Sequence, residues 1–378
     1  MEDLSTVDIT SIMNSLNDGV YVCDLDRRIT YWSESAERIT GWSREQVVGR
    51  QCFDNVLCHV DKDGHKLCGE EYCPLHRAMI TGKGSQGSLL VYAQGRDGQR
   101  IPMLVSVSPI RNPSGQVIGG VETFRDASAT VHDLEKAKAI QQLALECDVP
   151  ADSRVKFATH YIPHEIIGGD YYAIKKLDDD QYGVILADVM GHGIAAALYT
   201  MHLSALWDRH HRVLATPVEF AGKINNELAR VVKTDESFAT AVCGLIDLKD
   251  RVFRFVGAGG PQVLLMHIDG THEYLQSPGM PLAVMEESPY EECTVEIDDG
   301  DSLLLFSDGA VEVANAAGEL LGIDGLVRFL RQQGYPETRI RMEALEEELL
   351  KYSSAIRLED DLTLVEVSFP GSVGAGRD

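Results

Sequence analysis

The sequence predicts an α+β protein of two domains: a small α/β domain over residues 1–126 and a larger C-terminal domain over residues 150–370. A helical linker (127–149) would join them, and a short tail (371–378) would follow. Three observations lead there. The length of 378 residues suits about two domains. The stretch Ala127–Cys147 is rich in Ala, Lys, Glu and Gln and holds no Gly or Pro, so it reads as one helix separating two folded parts. Beyond it, apolar strand-like runs repeatedly meet a carboxylate at one end, at Asp170, Asp188, Asp308 and the pair Asp360-Asp361.

Composition narrows the class. A hydrophobic content of 44% with 25% charged residues is that of a globular chain. No apolar run approaches the roughly 20 residues of a membrane span. The opening Met1-Glu2-Asp3-Leu4 lacks the basic-then-apolar pattern of a secretion signal, so a cytoplasmic location is expected. A net charge of −25 disfavours binding to nucleic acid and to anionic membranes. Eight cysteines in such a chain argue against a disulfide framework, yet five of them (Cys23, Cys52, Cys58, Cys68, Cys73) crowd the N-terminal part.

In the first domain, Ser11–Asn17 suggests a short helix, and Gly19–Asp24 and Ile29–Trp32 suggest strands around the turn Leu25–Arg28. Helical segments are expected at Glu34–Thr40 and Arg44–Val48, on either side of Gly41-Trp42. Arg100–Ile110 and Val117–Phe124 alternate like paired strands around Asn112-Pro113-Ser114-Gly115. The opening Asp-Gly-Val-Tyr-Val-Cys-Asp, the segment Ala-Glu-Arg-Ile-Thr-Gly-Trp and the closing Phe124-Arg125-Asp126 resemble a PAS sensory domain. That resemblance implies a sheet that holds a ligand or cofactor, or serves as a dimer surface.

Cys52, Cys58, Cys68 and Cys73 are interleaved with His59, His65 and His76, and Pro74 follows the last cysteine. Their spacing lacks the tight pairs of common zinc sites, and Cys-Pro also occurs in ferredoxin-type runs. Two readings stand side by side: buried reduced thiols of an ordinary core, or a metal, iron–sulfur or redox sensor built on the four cysteines. In the linker, Val131, Leu134, Lys138, Gln141 and Leu145 recur at three- and four-residue steps, which reads as an imperfect coiled-coil seam or as a solvated spacer; the resemblance to PAS domains, which commonly pair through such a helix, implies a homodimer.

The second domain opens with a strand at Val155–Tyr161, followed by Ile167-Gly168-Gly169-Asp170. Tyr182–Ala187 is a buried strand running through Asp188 into the turn Gly191-His192-Gly193 and a helix at Ile194–Trp207. A helix at Pro217–Thr234 carries Phe220, Ile224, Leu228 and Val231 on one face. Strands are expected at Phe238–Leu248, Val252–Val256, Gln262–Ile268, Leu303–Phe306 and Leu362–Phe369, with helices at Leu326–Gln333 and Glu337–Tyr352. Gly371–Asp378 is expected to be disordered.

An acid at a strand end beside glycine suits a hard divalent cation, because glycine lets backbone carbonyls approach closely. Any one of these motifs could be a simple turn. Four of them on neighbouring strands would repel one another unless cations neutralise them, and two oxygen-ligated metals resolve the conflict. The motifs, in their order from Asp152 to Phe369, resemble the SpoIIE/RsbU-type bacterial serine phosphatases, a branch of the metal-dependent type-2C (PPM) superfamily.

That resemblance implies an α-β-β-α sandwich and hydrolysis of phosphoserine or phosphothreonine by a water activated between two Mn²⁺ or Mg²⁺ ions. Asp188 would bridge both metals, the Val189 carbonyl would bind one, and Asp308 and Asp360 would hold the other. Asp170 would bind directly or through water. Asp361 sits where members of the family vary and so ranks below Asp360; because adjacent residues of a strand face opposite ways, only one of the two is expected to point inward. His192 is expected to be a turn residue rather than a general acid. The segment Ala258-Gly259-Gly260-Pro261 and the residue Ala173 depart from the family pattern (Ala-Gly-His-Pro and Asp), and no arginine stands beside the acids, Arg154 being nearest in sequence. The implied partner is a phosphorylated anti-sigma-factor antagonist of the STAS type. The alternative is a catalytically silent sensor or scaffold that binds that partner.

Overall fold

A computed structural model describes residues 8–69, 72–145, 149, 151–191, 193–231, 237–260, 262–355 and 357–370. The chain separates into two compact units, Met1–Glu135 and Lys136–Asp378.

The N-terminal unit is built on an antiparallel sheet of β1 (Gly19–Asp24), β2 (Ile29–Trp32), β3 (Leu89–Gln94), β4 (Arg100–Arg111) and β5 (Val117–Asp126). Their order is β2-β1-β5-β4-β3. The alternation expected of β4 is present: Met103, Val105 and Val107 point into the core and their neighbours do not. Tyr21, Trp32 and Phe124 meet there at centroid separations of 5.6 to 6.4 Å. The first helix spans Ile9–Ser15, two residues ahead of expectation. Two elements were not anticipated. β3 follows a Gly/Ser-rich run and buries only Val91 and Ala93, too weak an alternation to stand out. The helix Pro74–Thr81 starts inside the cysteine-rich stretch, with Pro74 in the first turn, where a missing N–H costs nothing.

The C-terminal unit holds two five-stranded antiparallel sheets. Its strands are β6 (Lys156–Ile162), β7 (Asp170–Lys176), β8 (Gln181–Val189), β9 (Ala239–Asp247), β10 (Val252–Ala258), β11 (Gln262–Met266), β12 (His272–Leu275), β13 (Cys293–Glu296), β14 (Ser302–Phe306) and β15 (Leu362–Ser368). One sheet runs β13-β10-β9-β8-β7 and the other β12-β11-β14-β15-β6. β12 and β13, four residues each and never fully buried, were not foreseen, because their pattern is that of polar edge strands.

Period-two alternation in β14 separates two cores. Leu303 and Leu305 face the layer between the sheets, with Val184, Val242, Val263 and Val365. Leu304 and Phe306 face the other way, onto the helices Gly322–Gln332 and Met342–Ser353 through Leu326, Leu330, Leu345 and Leu349. The helices Ile194–His210 and Pro217–Val231 cover the first sheet with Leu203, Leu206, Phe220, Ile224 and Leu228. The unit is thus the expected α-β-β-α sandwich.

The linker helix spans Ser128–Leu145, and two positions of its seam are turned inward: Gln141 and Leu145 are buried. Leu145 joins the core of the C-terminal unit. Cys147 and the tail 371–378 lie outside the described residues.

Candidate metal centre

The acids come together because the strand ends of both sheets meet at one rim. Asp170 and Asp188 are register partners where β7 begins and β8 ends. Asp308 follows β14, and Asp360-Asp361 precede β15, its antiparallel neighbour. Ser307 ties the last two segments: its Oγ accepts from the Thr363 N–H at 2.9 Å and donates to the Asp361 carbonyl at 3.2 Å. A side chain at Gly309 would collide with that same carbonyl, which is why Asp308 is followed by glycine. Thr363 then joins the two sheets, its hydroxyl donating to Asp170 Oδ2 at 2.5 Å.

The adjacent acids Asp360 and Asp361 have different surroundings. Asp361 is buried, and both of its oxygens are engaged. Oδ1 accepts from the His164 N–H at 2.6 Å, and Oδ2 accepts from Gly169 at 2.5 Å and Asp170 at 3.3 Å. It anchors the Gly168-Gly169-Asp170 loop to the start of β15. Asp360 is exposed, and its Oδ1 accepts from the Asp361 N–H at 2.8 Å.

Electrostatics follow from this crowding. Burial, then the charges of Asp308, Asp360, Asp361 and Glu312, push the Asp188 carboxyl up to about 7. Burial, then Asp360 and Glu312, push Asp308 up to about 6. Asp170 is raised well above the carboxylate range, by burial first and then by Asp188 and Asp361. Its second oxygen, Oδ1, is buried without a hydrogen-bond partner. A buried orphan oxygen among mutually repelling carboxylates is the environment a divalent cation relieves. The carbonyls of Val189 and Gly191 line the same place, 3.0 and 3.1 Å from where a Gly169 Cβ would stand. Carboxylate and carbonyl oxygens together form a donor set for a hard ion such as Mg²⁺ or Mn²⁺. No three of these acids bring ligand oxygens within 4.8 Å of one another; among the described residues only Asp61, Asp63 and His65 do so. That trio is drawn together by its own turn, since Asp61 Oδ1 accepts from the N–H groups of Asp63 and His65.

Sequence reasoning missed four contributors. Glu312 adds its charge to the field on Asp188 and Asp308, and Ser307 and Thr363 fasten the acidic segments. Arg357 lines a cleft of about 240 Å³ together with Gly309, Glu312 and Asp360. Asp308 and Glu312 stand four apart, a spacing that could have drawn attention. Arg154, singled out from the sequence, lies elsewhere: it grips Asp152 and Asp180, at the turn between β7 and β8, opposite the acidic rim, whereas Arg357 stands only three residues before Asp360. A larger cleft of about 650 Å³, lined by Arg154, Lys156 and Arg251, lies at that far end and not at the acids. His192 and Pro261 fall outside the described residues. Cys52, Cys68 and Cys73 are buried in the N-terminal unit, whereas Cys58 is half-buried and donates to the Phe53 carbonyl at 3.5 Å.

A PAS-type sheet and a four-layer sandwich with an acidic rim define a PAS-type domain joined to a phosphatase-type domain. The family model for Stage II sporulation protein E (SpoIIE) matches residues 178–370 and that for the PAS fold matches residues 8–127. The chain belongs to the SpoIIE family. It is 30% identical over 186 residues to phosphoserine phosphatase RsbP of Bacillus subtilis, covering 48% of this chain and 46% of that protein. Phosphoserine phosphatase RsbU of the same organism is 25% identical over 234 residues, covering 62% of this chain and 69% of RsbU. The chain therefore spans about half the length of RsbP. Among solved structures, the SiaA-PP2C domain of Pseudomonas aeruginosa superposes with a TM-score of 0.54 at 22% identity, covering 64% of this chain and 99% of that one. The C-terminal unit has the PP2C phosphatase fold.

Proposed function

We propose that the C-terminal unit is a metal-dependent protein phosphatase acting on phosphoserine or phosphothreonine of a partner protein. The observation that carries this is the gathering of acidic strand ends at one rim, with Asp170 and Asp188 register partners and Asp308 and Asp360 at the adjoining ends of β14 and β15, beside the orphan oxygen of Asp170. Asp188, Asp308, Asp360, Asp170 and the Val189 carbonyl would hold two Mn²⁺ or Mg²⁺ ions. When bound, the ions supply charge neutralisation and an activated water for attack on phosphorus. The chain's own part is to aim the oxygens. Asp361 and Thr363 fix the Asp170 segment, and Ser307 fixes the turn that carries Asp308. Arg357, beside Asp360, supplies a positive charge to the substrate phosphate.

The names of RsbP and RsbU support a phosphoserine substrate. A phosphorylated STAS-type antagonist is the partner we favour. Exposed Ile140 and Leu143 on the linker helix support self-association through that helix, hence a homodimer. Among the described residues no helix is long and apolar enough to cross a membrane, which agrees with a cytoplasmic site of action. Gln141 of the same helix is hydrogen-bonded to Gly168, two residues from Asp170, and offers a route by which the PAS domain controls the acids.

The test is Mn²⁺-dependent phosphate release from a phosphoserine-bearing STAS protein by the full chain, alongside Asp188→Asn and Asp308→Asn. Release should fall at least ~100-fold in either variant. Equal release from all three would refute the assignment, and binding of the phosphoprotein without turnover would identify a silent scaffold.

A further inference from the structure

We propose that His164 is a positioning residue of the acidic rim: it brackets Asp360, holding the chain on both sides of that carboxylate. This rests on the metal-centre reading of the rim, in which Asp360 holds an ion.

The register of two strands brings the residues together. β6 and β15 are antiparallel, with Ile162 opposite Leu362 where β6 ends and β15 begins. Continued two residues further, the same pairing sets His164 opposite Asp360. Pro163 interrupts it, because proline has no N–H to give to a ladder. Beyond that point other bonds must hold the two chains.

The segment that carries Asp360 needs them. Arg357, Leu358, Glu359 and Asp360 lie between the helix Met342–Ser353 and β15 and belong to neither. Among the described residues, no main-chain to main-chain hydrogen bond holds these four. Arg357, Glu359 and Asp360 are exposed, and only the Leu358 side chain is buried, in the core it shares with Leu345 and Leu349. A carboxylate on a segment so weakly tied would be poorly aimed. Metal ligands are ordinarily oriented by a further set of hydrogen bonds behind them.

His164 supplies two such bonds from two different groups. Its main-chain N–H donates to Asp361 Oδ1 at 2.6 Å, and its ring Nδ1–H donates to the Leu358 carbonyl at 2.8 Å. A carbonyl can only accept, which fixes a proton on Nδ1. Asp360 is thus held through Leu358 on one side and Asp361 on the other, and Arg357 is steadied through its neighbour Leu358. Asp361 passes the constraint on, accepting from the N–H groups of Gly169 and Asp170. One residue of the β6–β7 loop therefore sets the Asp360 segment and the Asp170 segment against each other. The task belongs to Nδ1. Asparagine places an amide N–H near the position of Nδ1 and glutamine places one near that of Nε2, so the two substitutions tell this role from one carried by Nε2.

The experiment titrates Mn²⁺ into the full chain as wild type, His164→Ala, His164→Asn and His164→Gln, following free Mn²⁺ by electron paramagnetic resonance without substrate, with urea unfolding alongside. None of the substitutions removes the main-chain N–H, so the bond to Asp361 stays. The dissociation constant for Mn²⁺ should rise ~10-fold in His164→Ala and His164→Gln and stay within ~3-fold of wild type in His164→Asn. At saturating Mn²⁺, His164→Ala should raise KM for a phosphoserine-bearing protein ~3–10-fold through the loosened Arg357 and change kcat less than ~3-fold. Rescue by glutamine instead of asparagine, asparagine as weak as alanine, or equal Mn²⁺ affinity in all four proteins with only stability lowered would overturn the proposal. A loss confined to kcat at unchanged Mn²⁺ affinity would overturn it too, by putting His164 in the chemical step. Wild type that binds no Mn²⁺ would overturn the metal-centre reading and this role with it. The expected pattern of Mn²⁺ affinities without phosphate release would sink the phosphatase reading and leave the role of His164 standing.

Discussion

Gln141 and Gly168 clasp each other at two points: the Gln141 amide donates to the Gly168 carbonyl at 2.8 Å, and its oxygen accepts from the Gly168 N–H at 3.3 Å. The same amide donates to Thr200 Oγ1 at 2.9 Å. One buried side chain of the linker helix thus holds the loop that leads into Asp170 and the helix that follows the Asp188 turn. Gln141→Ala should cost ~1–3 kcal/mol of stability, because the partners stay buried. It should also raise the half-saturating Mn²⁺ concentration roughly 10-fold. A purely structural residue would lower the melting temperature without moving the metal titration.

Asp360 and Asp361 should separate cleanly. Asp361→Ala leaves three backbone N–H groups without their acceptor and should destabilise the chain by ~2–4 kcal/mol in urea unfolding. Asp360→Ala alters an exposed carboxylate and should change stability by less than ~0.5 kcal/mol. Its phosphate release should nevertheless fall at least ~100-fold. Equal stability losses would contradict the division of roles.

Arg357→Ala should raise KM for a phosphoprotein about 10-fold and leave kcat nearly unchanged, the signature of a group that binds the ground and transition states alike. A fall in kcat at constant KM would move the residue into the chemical step.

His267 supplies a pH dependence remote from the acids. Burial pushes its pKa down, but hydrogen bonds to Asp301 at 3.1 Å and Glu273 at 3.3 Å prevail, so the net displacement is upward. A pKa raised on folding means stabilisation that is complete below the unfolded value, about 6.5, and lost as pH rises through the folded value. His267→Gln should cost ~1 kcal/mol at pH 6 and close to nothing at pH 9, read by urea unfolding of the full chain. A cost independent of pH would show that packing, not charge, is lost.

Much of the fold was legible because its signals are local. Gly19–Asp24, Ile29–Trp32 and Glu34–Thr40 appear at the expected residues, since turn residues and alternation bound them sharply. β12, β13 and the helix Pro74–Thr81 were missed. The strands are short and half-polar, and the helix is masked by a cysteine pattern that draws attention to chemistry.

By itself the sequence determined which residues could do chemistry: acids at strand ends, glycines where carbonyls crowd, and thiols gathered in the first domain. Local pattern is enough for that, because strand period and turn chemistry are set by near neighbours. Only the tertiary structure decided what each one does. It buried Asp361 as a loop anchor and left Asp360 on the rim, although they are adjacent in sequence. It engaged Arg154 with Asp152 and Asp180, brought Arg357 beside Asp360, and buried His59 while leaving the neighbouring Cys58 half-buried. These outcomes depend on contacts between residues as far apart as Gly169 and Asp361, and on the desolvation that comes with them.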